Sequence, residues 1–460
     1  NDVANAMGTS VGSGALTIRQ AIVVAGLLEF AGAFLVGGHV TDTVRKGMID
    51  LDQFTAMPTE LALGMMASLL AAGLWLQFAT YFGMPVSTTH TIVGAIVGFA
   101  SVVAGVDAVQ WSKVASIVAS WVVSPLAAGT VSFVLFVILR GLIINARDPV
   151  RAMRNATPVI VFIVGAVLTQ VTLYKGLKHL DLHLTGPESL GVAGIVGLVG
   201  AAVAWGLLRA RTPALAAAAV PAGYLSPRQA SLLGELDRRL QQAREAFPAR
   251  ASAAGAAAEV GREIGVDVDA LLRRVRSLKL RVAPSDTHPE FVYVERIFGR
   301  LQILSACAVA FAHGANDVAN AVGPMAAVLD ILKSGSVQMK VAVSPWVLAL
   351  GGAGIVLGLA TWGYRVIETV GRKITELTPS RGFAAEFGTA VTILVASRLG
   401  WPISTTHTLV GAVLGVGLAR GFASLNLRMV RDIALSWMIT VPAGAALAVV
   451  CYKLLAALLL

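Results

Sequence analysis

Charge is what this chain has least of. Its 460 residues include 36 Lys and Arg and 26 Asp and Glu, together 13%, against about 25% in an average soluble domain. A soluble fold of this length needs roughly twice that charge on its surface, which argues against a soluble enzyme. Cysteine is scarcer still. Cys307 and Cys451 both lie in apolar segments without C-x-x-C spacing. They imply no disulfide framework and say nothing of redox compartment. No basic run interleaved with aromatics is present, so the net charge of +10 does not point to nucleic acid. A signal peptide and an initiator Met are also missing, and the chain reads as one whose natural start is absent. No P-loop motif is found, so ATP-driven work has no support in the sequence.

Apolar residues are plentiful, at 56% of the chain, with 47 Gly and a mean hydropathy of +0.76. Apolar runs fall at roughly 16–38, 61–82, 91–106, 114–139, 157–173 and 190–208, then 297–332, 344–363, 384–399, 408–419 and 430–459. Several reach the ~20 residues that a membrane-crossing helix requires. Two, 91–106 and 408–419, are too short, and each follows a Pro-x-Ser-Thr-Thr interruption. Short segments at matching places in two halves are a pointer to a transporter site built from broken helices.

The few charges are concentrated. Residues 209–300 carry 15 Lys and Arg and 10 Asp and Glu, which marks a soluble-like insert. The 140–158 loop holds Arg140, Arg147, Arg151 and Arg154 against Asp148. Two spans separate that loop from the insert, so both are read as cytoplasmic and the 174–189 loop as external. Inside the insert, Leu232, Leu233, Leu236, Leu240 and Phe247 recur at helical spacing, as do Ile264, Val268, Leu271, Leu272, Val275 and Leu278. Each set predicts an amphipathic helix. The Ala/Gly-rich stretch 251–258 predicts a connector between them.

The chain also contains itself twice. Asn1-Asp2-Val3-Ala4-Asn5-Ala6 recurs as Asn316-Asp317-Val318-Ala319-Asn320-Ala321. Pro85-Val86-Ser87-Thr88-Thr89-His90-Thr91 recurs as Pro402-Ile403-Ser404-Thr405-Thr406-His407-Thr408. Ser120-Trp121 with Ser124 recurs as Ser436-Trp437 with Thr440. Motifs in the same order at nearly constant offset mean internal duplication. The second copy starts from the cytoplasmic insert; if the first starts outside, the repeats are inverted. The expected fold is therefore an all-α polytopic membrane protein. Its two inverted-topology repeats carry broken or re-entrant helices at their interface. The divisions are 1–208 (first repeat and linking helices), 209–295 (cytoplasmic insert) and 296–460 (second repeat).

The motifs carry chemistry. Pro suits the first turn of a helix, where its missing N–H is not needed. The neighbouring hydroxyls and unpaired first-turn amides, at the positive end of the helix dipole, form an oxyanion site. Two facing copies would surround a tetrahedral oxyanion without Lys or Arg. An aspartate in an apolar segment is expensive and marks function by default. Asn at i−1 and i+3 adds hard oxygens that suit an alkali cation or a proton. Two carboxylates beside an oxyanion in a low-dielectric cavity repel it. The arrangement makes sense only if cations sit between them or the carboxylates are protonated, which predicts cation-coupled symport of an anion. His90 and His407 directly follow the hydroxyl triplets and are read either as bracing them by hydrogen bonds or as weaker candidates for a direct role. Glu29 and Glu386 have no acidic counterpart in the other repeat and are expected to be local salt-bridge or helix-end residues. His313 is expected to shape a bend before the second Asn-Asp motif, and the Trp121/Trp437 pair to pack.

Gly314-Ala315-Asn316-Asp317-Val318-Ala319-Asn320-Ala321, the paired Pro-x-Ser-Thr-Thr-His segments, the Ser-Trp-x-x-Ser/Thr segments and Glu295 to Gly314 resemble the inorganic phosphate transporter (PiT) family. The resemblance covers the chain apart from residues 209–290. It implies secondary active phosphate uptake coupled to sodium, or in some members to protons, with sulfate carriers among relatives of this architecture. It also implies a homodimer in the cell membrane, and no enzyme activity or bound cofactor. On this sequence, phosphate would be held by Ser87, Thr88, Thr89, Ser404, Thr405 and Thr406. Sodium would be held by Asp2, Asn5, Asp317 and Asn320, with Asn1 and Asn316 close by. The first copy departs from the family pattern in lacking its glycine lead-in and the helix before it.

Overall fold

The computed structural model describes residues 1–37, 48–176, 185–210, 227–246, 267–275, 289–338, 343–398 and 403–460. Among these the chain is helical apart from two isolated β-bridges. The helices are α1 (Asp2–Gly12), α2 (Ile18–Val36), α3 (Pro58–Tyr81), α4 (Thr88–Val103), α5 (Trp111–Leu139), α6 (Pro149–Gly176) and α7 (Gly186–Ala210). They continue with α8 (Pro227–Ala246), α9 (267–275), α10 (Pro289–Ser334), α11 (Pro345–Glu368), α12 (Pro379–Arg398), α13 (Thr405–Leu418) and α14 (Leu427–Leu459). Eight helices among the described residues are long and apolar enough to cross a membrane. The two short ones, α4 and α13, are the half-length segments expected after each Ser-Thr-Thr.

The chain divides into two compact units. One holds Asn1–Gly141, Ala156–Trp205 and Arg296–Leu460. The other holds Leu142–Asn155 with Gly206–Glu295. In the second unit, α8 and α9 match the two amphipathic patterns. Val268, Leu272 and Val275 are buried, while Leu236 and Leu271 are exposed. Phe247, Ile264, Leu278 and the 251–258 connector lie outside the described residues.

Within the first unit the two sequence copies fold alike. Ser87 and Ser404 are the N-caps of α4 and α13, and each side-chain oxygen accepts the N–H three residues on. Each half-helix ends near a glycine of positive φ, Gly105 (90°) and Gly421 (110°), followed by a single 3-10 turn. A bridge then ties each turn back, Ile49 to Val109 and Thr375 to Leu425. The second copy differs from expectation at one place. Helix α10 runs unbroken for 46 residues through His313 and the Asn316-Asp317 motif. His313 bends nothing; it faces its partners from a continuous helix.

Helices meet through bare backbone where half-helices cross. A Cβ at Gly94 would stand 2.4 Å from the Val441 carbonyl, and one at Gly411 2.3 Å from the Pro125 carbonyl. Small residues allow such approach where lipid supplies no hydrophobic drive between helices. The crossings put α4 against α14 and α13 against α5, which fixes the start of each half-helix.

Candidate functional site

Helix α1 reaches both hydroxyl triplets. Asp2 is buried. Its Oδ2 accepts from Thr88 Oγ1 (2.7 Å) and Thr88 N (3.2 Å). Its Oδ1 accepts from Thr406 Oγ1 (2.7 Å). One carboxylate thus bridges the starts of α4 and α13, where their unpaired amides and hydroxyls converge. Here the Asp2 carboxylate stands in for an oxyanion at a helix N-terminus. Asn5 donates to Thr406 Oγ1 at 2.8 Å. Its own carbonyl oxygen is buried with no hydrogen-bond partner. An orphaned hard oxygen beside a carboxylate is the donor set an alkali cation takes.

Asn1 clasps the approach to the first triplet. Its amide donates to Thr80 Oγ1 (3.0 Å) and the Met84 carbonyl (2.9 Å), and its oxygen accepts from Val86 N (3.1 Å). Helix α10 supplies the matching residues of the second copy. Asn320 donates to Thr88 Oγ1 (3.2 Å) and Thr89 Oγ1 (3.1 Å). Asn316 donates to Asp317 Oδ1 at 2.7 Å. Thr405 lines the cavity that Asp2 and Asn316 share. Ser87 and Ser404 sit as caps behind the threonines. The structure therefore gathers the paired motifs around one buried point.

Two groups join this point that the sequence pattern gave no site role, His313 and Glu29. His313 Nε2 lies 2.7 Å from Asp317 Oδ2, and His313 Nδ1 lies 3.0 Å from Glu29 Oε1. Asp2, His313 and Asp317 can bring ligand atoms within 4.8 Å of one another. Glu29 is a salt-bridge residue as expected, but its partner is 284 positions away and belongs to the site. Further along α10, Pro324 has no N–H to return to the Asn320 carbonyl one turn earlier, so that carbonyl is left without its helical donor. The Asn-x-x-x-Pro spacing was a readable signal for this.

Glu386 departs from the local role expected of it. It is buried and accepts from Thr9 (2.5 Å), Ser10 (2.8 Å), Gln302 (3.2 Å) and Ser305 (2.7 Å). None of these partners is basic. The residue at the matching place of the first repeat is Leu69, in an apolar setting with Met65 and Val328. The repeats are therefore polar on one side and apolar on the other.

Two cavities flank the Asp2–His313 centre, and each is the image of the other. One is lined by Asn5, Asn316, Ala390, Ile393, Thr405 and Leu409 among others, and holds about 40 Å³. The other is lined by Asn320, Asn1, Gly73, Leu76, Thr88 and Ile92, and holds about 520 Å³. Residue by residue these are the repeat equivalents. The same cavity is present twice, at two different volumes.

Fold and site together define a class: a polytopic helical membrane protein with a buried acid-and-hydroxyl site where two repeated halves meet. Comparison with known proteins makes the class specific. Residues 1–448 match the model of the phosphate transporter family. The inorganic phosphate transporter 2-1, chloroplastic, of Arabidopsis thaliana is 45% identical over 98% of this chain and 68% of its own length. A putative phosphate permease of Haemophilus influenzae is 41% identical over 99% of this chain and 92% of its own. A solved structure described as the sodium-dependent phosphate transporter superposes with a TM-score of 0.73 at 35% identity, covering 100% of this chain and 95% of that one. The chain belongs to the phosphate transporter family. The family and these relatives are transporters and permeases, not enzymes.

Proposed function

We propose that the protein imports phosphate by sodium-coupled symport with alternating access. The observation that carries this reading is the Asp2 carboxylate. It accepts the Thr88 and Thr406 hydroxyls that a phosphate would need. Carboxylate and phosphate are both anions, and in a buried site they repel. Phosphate takes those donors only when Asp2 turns to another partner. A sodium ion held by Asp2 and the orphaned Asn5 carbonyl is that partner. Sodium binding frees the donors and offsets the charge, so the two substrates load together.

On this reading phosphate would be held by Ser87, Thr88, Thr89, Ser404, Thr405 and Thr406, and sodium by Asp2, Asn5, Asp317 and Asn320 with Asn1 and Asn316 close by. The unequal cavities support alternating access by inverted repeats. Exchange of the repeats' conformations would shut the 520 Å³ cavity and open the 40 Å³ one. The protein would sit as a multi-pass protein of the cell membrane, with the 209–295 insert in the cytoplasm. Helices α6 and α7 present exposed Val159, Leu190, Ile195 and Leu198, a face that suits lipid or a second copy in a homodimer.

Proteoliposomes test the coupling ion. With sodium and pH gradients varied independently, phosphate uptake is expected to follow the inward sodium gradient steeply. Uptake driven equally well by a pH gradient in the absence of sodium would replace sodium with the proton. Excess sulfate is expected to leave labelled phosphate uptake unchanged.

A further inference from the structure

Four aromatic rings meet behind the two hydroxyl triplets. His90 lies on Trp121 (centroids 3.9 Å apart) and His407 on Trp437 (3.7 Å). The two imidazoles meet edge to face at 4.3 Å. His90 and His407 are the third residues of their half-helices, so this stack abuts both phosphate-facing helix starts. The rings are repeat images, yet their hydrogen bonds are not. His407 Nδ1 lies 3.2 Å from the Trp121 backbone carbonyl. A carbonyl only accepts, so Nδ1 carries the proton and donates. Both ring nitrogens of His90 are buried without a hydrogen-bond partner.

The sequence explains the difference. A helical carbonyl is normally taken by the N–H four residues on. For Trp121 that residue is Pro125, which has no N–H, so the Trp121 carbonyl is released to His407. The second copy reads Ser436-Trp437-Met438-Ile439-Thr440-Val441-Pro442, one residue longer before its proline. Pro442 therefore releases the carbonyl of Met438 instead. The Trp437 carbonyl keeps the Val441 N–H, and His90 finds no equivalent acceptor. Gly411 completes the arrangement, because its bare Cα lets α13 ride against α5 at Pro125.

We propose that Pro125 is a positioning residue for phosphate binding. By freeing the Trp121 carbonyl it latches His407, and His407 holds Thr405 and Thr406 at the start of α13 in their binding orientation. The latch exists on one repeat alone. The second triplet is fixed to the opposite repeat's helix, while the first is clasped by Asn1 and by the Trp437 N–H on the Pro85 carbonyl (2.9 Å). This inference rests on the phosphate-symport reading and adds a residue to it that touches no substrate.

The test compares Pro125→Ala with its repeat image Pro442→Ala, together with His407→Phe and the Pro125→Ala/His407→Phe double variant. Ala in a helix is well tolerated in place of Pro, and Phe preserves the ring stack. Pro125→Ala restores the N–H that reclaims the Trp121 carbonyl. The expected result in proteoliposomes is a KM for phosphate raised about 5- to 10-fold, the worth of one hydrogen bond, with maximal rate within about twofold. His407→Phe is expected to match it, the double variant to be no worse than either single one, and Pro442→Ala to equal wild type. Histidine ¹⁵N NMR reads the latch without transport. The hydrogen-bonded Nδ1 proton of His407 is expected in wild type and Pro442→Ala and absent in Pro125→Ala. Retention of that signal in Pro125→Ala overturns the proposal, as does a wild-type KM or equal effects of the two proline variants. A wild-type protein that moves no phosphate overturns the transport reading instead, and the NMR comparison still decides the latch.

Discussion

Asp2→Asn is expected to abolish sodium-driven phosphate accumulation while leaving the fold intact. Asn is the same shape as Asp. Its Oδ1 can still accept from the Thr88 amide and hydroxyl, and its Nδ2 can donate to Thr406, whose oxygen has room for a second donor. What disappears is the charge. The cation loses its principal counter-charge in a buried site, and leaving a buried charge uncompensated costs about 3–5 kcal/mol. That is a loss of roughly 10²- to 10⁴-fold in cation affinity. Uptake measured against the sodium gradient should fall by at least that order, with the melting temperature in detergent unchanged. Wild-type coupling in this variant would remove Asp2 from the mechanism.

Gly314→Ala is expected to damage stability and transport together. A Cβ at Gly314 would stand 2.3 Å from the Glu29 carbonyl oxygen and 2.7 Å from the Glu29 Cα. Both atoms are backbone, so no side-chain rotation relieves the clash, and α2 must move away from α10. Overpacking of this kind costs about 1–3 kcal/mol. The same movement carries Glu29 away from His313, now 3.0 Å distant, and leaves the imidazole beside Asp317 without its second partner. Gly194→Ala provides the contrast, since a Cβ there meets nothing within 4 Å. In a helix that change should stabilise by up to about 1 kcal/mol. Thermal unfolding of the two variants in detergent should therefore shift in opposite directions. Equal shifts would mean that the α2–α10 contact is not tight at Gly314.

Much of this site is written in the sequence because it is written twice. Paired Asn-Asp-x-Ala-Asn and Ser-Thr-Thr-His motifs single out the aspartates and hydroxyls, and the short apolar runs after each Ser-Thr-Thr mark the half-helices. The contacts across the chain are another matter. Hydropathy and periodicity say which segments cross and which faces are apolar, but not which polar side chains on different segments meet. Asp2 on Thr406 and Thr9 on Glu386 join residues about 400 apart. Glu29 and Glu386 stood out as charges in apolar runs, but neither had a repeat counterpart to point to its role. Folding supplied it, with an imidazole for one and hydroxyls and an amide for the other. The continuous helix at His313 was equally hidden. A Gly-Ala-Asn-Asp run suggests a break, but tight packing of Gly314 on Glu29 needs a glycine inside an intact helix.

Asymmetry between the copies is as informative as their likeness. Leu69 against Glu386, and one extra residue before Pro442, are local departures from a duplicated pattern. They bury a carboxylate among hydroxyls in one repeat where the other is apolar, and they latch one triplet, where strict symmetry would have given two equal halves.

The central claim is that sodium must release the hydroxyls from Asp2 before phosphate can take them. Titration of phosphate into purified protein, with sodium present or replaced by choline at constant ionic strength, tests this directly. The account predicts phosphate binding at least about 100-fold tighter in sodium, the ~3 kcal/mol expected of a compensated buried charge. Equal affinities in the two buffers would contradict it.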